Sequence, residues 1–127
     1  MENNTAKQQR LNSFIENIAH ISNESYQERV WIKNEGPECE EIDDAVCDFF
    51  DDGDPILDKY EDFGITENQY KALITLREQL DSFIDEYEIF SQEVPAAHLI
   101  KLPEWKRIMS LAKDVLKAFD YKKTELA

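Results

Sequence analysis

The sequence predicts an all-α chain folded as a single domain of five or six helices. Three observations carry that expectation. Apolar residues recur at 3.6-residue spacing along most of the chain. Two stretches, Ser25-Tyr-Gln-Glu28 and Thr66-Glu-Asn-Gln69, have the form of helix-starting capping boxes. Finally, 3 Gly and 4 Pro in 127 residues are too few for the turns of an all-β sandwich. A chain of this length can bury a core without disulfides or metal. No linker divides it, so residues 1–127 read as one unit with residues 1–8 as a flexible start.

Taken in order, Leu11, Phe14, Ile15, Ile18 and Ile21 trace the stripe of a first helix, with Ala19 beside it. Ser22-Asn23 interrupts it. The capping box at Ser25 opens a short second helix through Trp31 or Ile32, which Gly36-Pro37 closes. Val30 to Ile32 could form a strand, but nothing nearby offers a pairing partner. An acidic helix is expected from about Glu38 to Asp52, with Ile42, Val46 and Phe49 at i, i+4 and i+7 facing inward. Asp51-Asp52-Gly53-Asp54 should stop it. Asp54 and Pro55 then begin a short helix through Asp62, with Gly64 at the position of a terminating glycine.

The capping box at Thr66 starts the longest helix, to about Glu88. Its inward set is Tyr70, Leu73, Ile74, Leu80, Phe83, Ile84 and Tyr87, with Leu76 and Arg77 in the gap. Residues 91–102 read as a connection around Pro95. Pro103 begins a last helix with the stripe Trp105, Ile108, Met109, Ala112, Val115, Leu116 and Phe119. Lys117, Lys122 and Lys123 near its end complement the helix dipole.

Charge is the unusual feature. Residues 35–67 hold 14 acids against one base, Lys59, whereas the rest of the chain is nearly balanced; the total is −14. Ile56, Leu57, Phe63 and other apolar residues are interleaved, so this is not a disordered acidic tail. On the acidic helix Glu40, Asp44, Asp48 and Asp51 fall on the outer face. Glu40/Asp44, Asp44/Asp48 and Asp48/Asp52 are like-charged i,i+4 pairs, each destabilising by roughly 0.2–0.5 kcal/mol. Solubility asks for a net charge of only about 2–8 in a small domain. The surplus points to a basic partner, and the solvated-surface reading stands beside it.

Catalytic and metal chemistry find no support. Asp48 to Lys59 resembles a calcium loop at Gly53, but Phe50 and Lys59 occupy ligand positions, and a lysine would repel the ion. His20 and His98 lack partners at metal-ligand spacing, and Cys39 and Cys47 fit no zinc pattern. The two cysteines read as free, partly buried thiols. No cofactor motif or nucleophile elbow is present. The acids would repel phosphate, which argues against direct nucleic-acid binding. The first ten residues lack a signal-peptide core and no run is long enough to span a membrane, so the cytoplasm is the default expectation.

The acid-rich helical segment 38–62, with Phe49, Phe50 and Tyr60 among the carboxylates, resembles the small bacterial immunity proteins of toxin–immunity systems. These include the immunity proteins of contact-dependent growth inhibition and of nuclease colicins. The resemblance implies a 1:1 complex with a basic nuclease toxin domain. Its contact residues would be Glu40, Asp43, Asp44, Asp48, Asp51, Asp52, Asp54 and Asp58, with Phe50 and Tyr60 as apolar anchors. A nucleic-acid mimic or regulatory adaptor acting on a host DNA- or RNA-binding protein predicts the same acidic surface.

Overall fold

The structure, a computed structural model, describes residues 2–38, 40–91 and 93–121. Their regular secondary structure is all helical, with no strand. The elements are α1 (Glu2–Ser22), α2 (Glu24–Tyr26), which runs into a π-helical stretch (Gln27–Ile32), α3 (Ile42–Asp58), a 3-10 turn (Tyr60–Phe63), α4 (Glu67–Tyr87), a second 3-10 turn (Ile89–Ser91), α5 (Ala96–Leu99) and α6 (Pro103–Ala118). Helix α6 packs against both α1 and α4, and α3 lies along α1.

Most of the predicted stripe residues are buried, while Tyr70, Ile74, Ile84, Tyr87, Leu116 and Phe119 are half-buried against the core. Leu11, Phe14, Ile15, Ile18 and Ile21 of α1 are buried, as are Trp105, Ile108, Met109, Ala112 and Val115 of α6. Each such large side chain contributes about 1.5–3 kcal/mol when fully buried. Leu76, read as lying in the gap of α4, is itself fully buried between Leu73 and Leu80. The Thr66 box forms as expected. Thr66 Oγ1 accepts the Gln69 N–H at 3.2 Å, and Gln69 Oε1 accepts the Thr66 N–H at 2.8 Å.

Several local expectations are corrected. Helix α1 begins at Glu2, ahead of the stripe that opens at Leu11; Met1 lies outside the described residues. Asn23, not Ser25, caps α2, accepting the Tyr26 N–H at 3.1 Å. The π-helical stretch then widens the turn, with Lys33 donating to Glu28 O at 3.0 Å. Residues 91–102 are not a plain connection, because Leu99 and Ile100 are buried core residues. Cys47 is exposed rather than partly buried. Cys39, Lys122 and Lys123 lie outside the described residues.

The largest correction concerns α3. It begins after Glu41 rather than at Glu38, and it continues through Gly53 and Pro55 to Asp58 without stopping. Gly53 is a packing residue: a Cβ there would stand 2.7 Å from Cε1 of the Phe14 ring. The missing side chain lets α1 and α3 approach, with Phe14 against Phe49 at 5.2 Å between ring centroids. Pro55 and Asp51, the residue one turn before it, are both exposed, so the lost hydrogen bond falls on the solvent side. Gly64 does end the segment, in the left-handed conformation at φ 73°.

Candidate functional site

The residues expected to form one acidic face divide into three groups. In the first, the carboxylate has an internal role. Asp44 reaches back to accept the Glu41 N–H at 3.0 Å and so caps the start of α3. Asp54 is held by Arg77 through two bonds, Nε to Oδ1 at 2.8 Å and Nη2 to Oδ2 at 3.2 Å. Glu40 leaves the face altogether. Preceding α3, it turns inward, where Oε1 accepts from Trp31 Nε1 at 2.9 Å and from the Tyr26 hydroxyl at 3.1 Å. His20 Nδ1 stands 3.8 Å from the same oxygen, and the His20 ring stacks on Tyr26 at 3.9 Å. Burial alone pushes the Glu40 carboxyl up, but the nearby His20 imidazole and the Trp31 and Tyr26 donors outweigh it and hold it below the ordinary range. The same contacts, led by burial, push the Tyr26 hydroxyl well above its ordinary value.

The second group is the aromatic pair. Phe50 is half-buried, edge-on to Phe49 at 5.4 Å, with the Arg77 guanidinium 5.0 Å over its ring. Tyr60 is half-buried and stacked on Tyr70 at 4.1 Å. Each expected anchor therefore presents only part of its ring outward.

The third group is the exposed remainder: Asp48, Asp51, Asp52 and Asp58, extended by Glu61 and Asp62 of the following turn. Among the described residues no ion pair with Lys or Arg engages any of the six. Among the described residues Asp51 accepts the Cys47 thiol, at 3.6 Å. Asp58 stands in the last turn of α3, which holds no basic residue and where the helix dipole disfavours negative charge. Asp43 is half-buried at the rim of a cleft shared with Trp31, Ile89 and Val94.

Mutual repulsion is visible in Asp48. Partial burial, then the charges of Asp52, Glu40, Asp44 and Asp51, raise its carboxyl above the ordinary carboxylate range. A raised folded value means the ionised form is disfavoured in the folded state. The penalty is absent below the ordinary carboxylate value near pH 3.9, and it is present in full once pH exceeds the folded value. Asp48→Asn should therefore stabilise the free protein at neutral pH by a few tenths of a kcal/mol. Thermal unfolding across pH checks this: the gain should shrink as pH falls through the carboxylate range. A destabilised variant at pH 7 would mean that Asp48 has an internal partner.

Sequence reasoning missed Arg77 as the cation that neutralises Asp54 and covers Phe50. It also missed the ring of Tyr26, Trp31 and His20 around Glu40. The one available signal was the histidine placed beside the apolar stripe of α1. The run 48–59, compared above with a calcium loop, is helical except for Lys59 and so lacks loop geometry. No helix among the described residues is long and apolar enough to cross a membrane. Compared with family models, curated proteins and solved structures, the chain matches none.

Proposed function

We propose that this protein is a stoichiometric inhibitor of a basic protein, docking through the exposed carboxylates of α3 and the turn after it. The observation that carries the reading is that Asp48, Asp52, Asp58, Glu61 and Asp62 are exposed and engage no described cation. Concentrated self-repulsion of this kind lowers the stability of the free protein, and a cationic partner surface would relieve it. The partner class is a nuclease toxin domain, bound 1:1, as the resemblance to immunity proteins implies. Such a domain presents a basic groove to the phosphates of its substrate. Carboxylates at similar density would fill that groove and exclude RNA or DNA. The role needs no cofactor and no membrane, and cytoplasmic nuclease substrates would be protected where they lie.

The test is inhibition by defined variants. A basic nuclease captured by the protein should lose substrate cleavage at a 1:1 ratio. Asp48→Asn, Asp52→Asn and Asp58→Asn combined should weaken inhibition by at least tenfold while the fold is retained. Equal inhibition by the triple variant would overturn the proposal. Capture of a host DNA-binding protein without nuclease activity would favour the nucleic-acid-mimic reading.

A further inference from the structure

Helix α1 carries a polar line opposite α3 in addition to its apolar stripe. Ser13, Glu16, Asn17 and His20 fall at i, i+3, i+4 and i+7, on one face. With Glu40 they line a cleft of about 150 Å³. Ser13 also borders a larger cleft of about 430 Å³, lined as well by Asp52 and Ile56 of α3.

The cleft is rich in unfilled acceptors. Asn17 donates through Nδ2 to Ala45 O at 2.9 Å, and its Oδ1 accepts no bond among the described residues. Glu40 receives all its described donors on Oε1; its Oε2 receives none. Glu16 is exposed and has no described ion pair. His20 Nδ1 is buried without a hydrogen-bond partner. Glu40 is only 17% exposed; its described donors are the neutral Trp31 and Tyr26 side chains, and the His20 imidazole lies 3.8 Å away. These contacts favour the ionised carboxylate, and its Oε2 takes no described donor.

We infer that this cleft receives the cationic head of one arginine side chain from the basic partner. The inference rests on the proposed function, and charge complementarity selects the occupant. A guanidinium offers five N–H donors in one plane, matching the Glu16 and Glu40 carboxylates and the Asn17 and Ser13 oxygens. Ser13 lines both this cleft and the one that Asp52 borders, so the cleft adjoins the acidic face and one partner can contact both. Charges on α3 then attract the partner, and the cleft fixes its register through a single bound residue.

N-acetyl-arginine amide is the probe, titrated at constant ionic strength into the ¹⁵N-labelled protein. The Trp31 indole N–H, bonded to Glu40, and the His20 ring report on the cleft. Saturable shifts at both are expected. They should vanish with the neutral isostere N-acetyl-citrulline amide and weaken at least fivefold in Glu16→Gln, an exposed site chosen because the fold does not depend on it. No saturable shift, or equal shifts with citrulline, overturns the inference. A second arm uses the purified basic partner. Glu16→Gln should raise the dissociation rate at least fivefold. Unchanged dissociation, with binding still lost on neutralising Asp48, Asp52 and Asp58, would overturn the arginine cleft and leave the proposed function standing.

Discussion

Replacing Trp105 by alanine is expected to destabilise the protein by about 3–5 kcal/mol. The indole is fully buried at the first turn of α6. It meets Trp31 edge-on at 5.9 Å and Phe83 at 5.4 Å, so it joins the π-helical stretch, α4 and α6 at one point. Its Nε1 donates to Gln27 Oε1 at 3.0 Å across 78 residues of chain. Alanine would leave both a cavity and an unpaired amide oxygen. Chemical denaturation measures the effect, and a loss under about 1 kcal/mol would show that the three elements do not depend on this contact.

Gln27→Leu is expected to cost roughly 3 kcal/mol, although leucine is similar in size and more apolar. Gln27 is fully buried, and its amide serves three groups. Nε2 donates to Ile21 O at 2.8 Å and to His20 O at 3.0 Å, carbonyls in the last turn of α1. Oε1 takes the Trp105 N–H. The His20 carbonyl keeps the Asn23 N–H at 3.2 Å, so the orphaned groups are the Ile21 carbonyl and the Trp105 N–H. Leaving each unsatisfied costs about 1–3 kcal/mol. The discriminating measurement is a double-mutant cycle with Trp105→Phe, which removes the orphaned indole donor. The pair should be less destabilising than the sum of the single variants. Strict additivity would show that the indole–amide bond adds nothing.

What was legible in the sequence follows from the range of the forces involved. The Thr66–Gln69 box is complete within four residues, and the stripes of α1, α4 and α6 repeat along single helices, so local pattern sufficed. Gly53 and Pro55 misled because their usual effect on a helix is local, whereas the reason α3 continues is the Phe14 ring 39 residues earlier. Ile89, Leu99 and Ile100 were invisible as core because their segments are too short to show a period. The acidic face was readable as a run of charge, but its division was not. Whether an aspartate caps a helix, pairs with Arg77 or faces solvent depends on neighbours brought together by the fold. Glu40 shows this most clearly: His20, Tyr26 and Trp31 lie 20, 14 and 9 residues away in sequence.

Under the proposed function, the α3 carboxylates attract and hold a basic partner. Binding kinetics against that partner across a salt series test it most directly. The Debye length falls from about 30 Å at 0.01 M salt to about 3 Å at 1 M, so long-range attraction should be screened away. The association rate should drop by at least tenfold over that range while dissociation changes far less. The Asp48→Asn, Asp52→Asn, Asp58→Asn variant should associate slowly at every salt concentration. An association rate independent of salt, and identical in that variant, would rule out electrostatic docking and return the acidic face to a solvated surface.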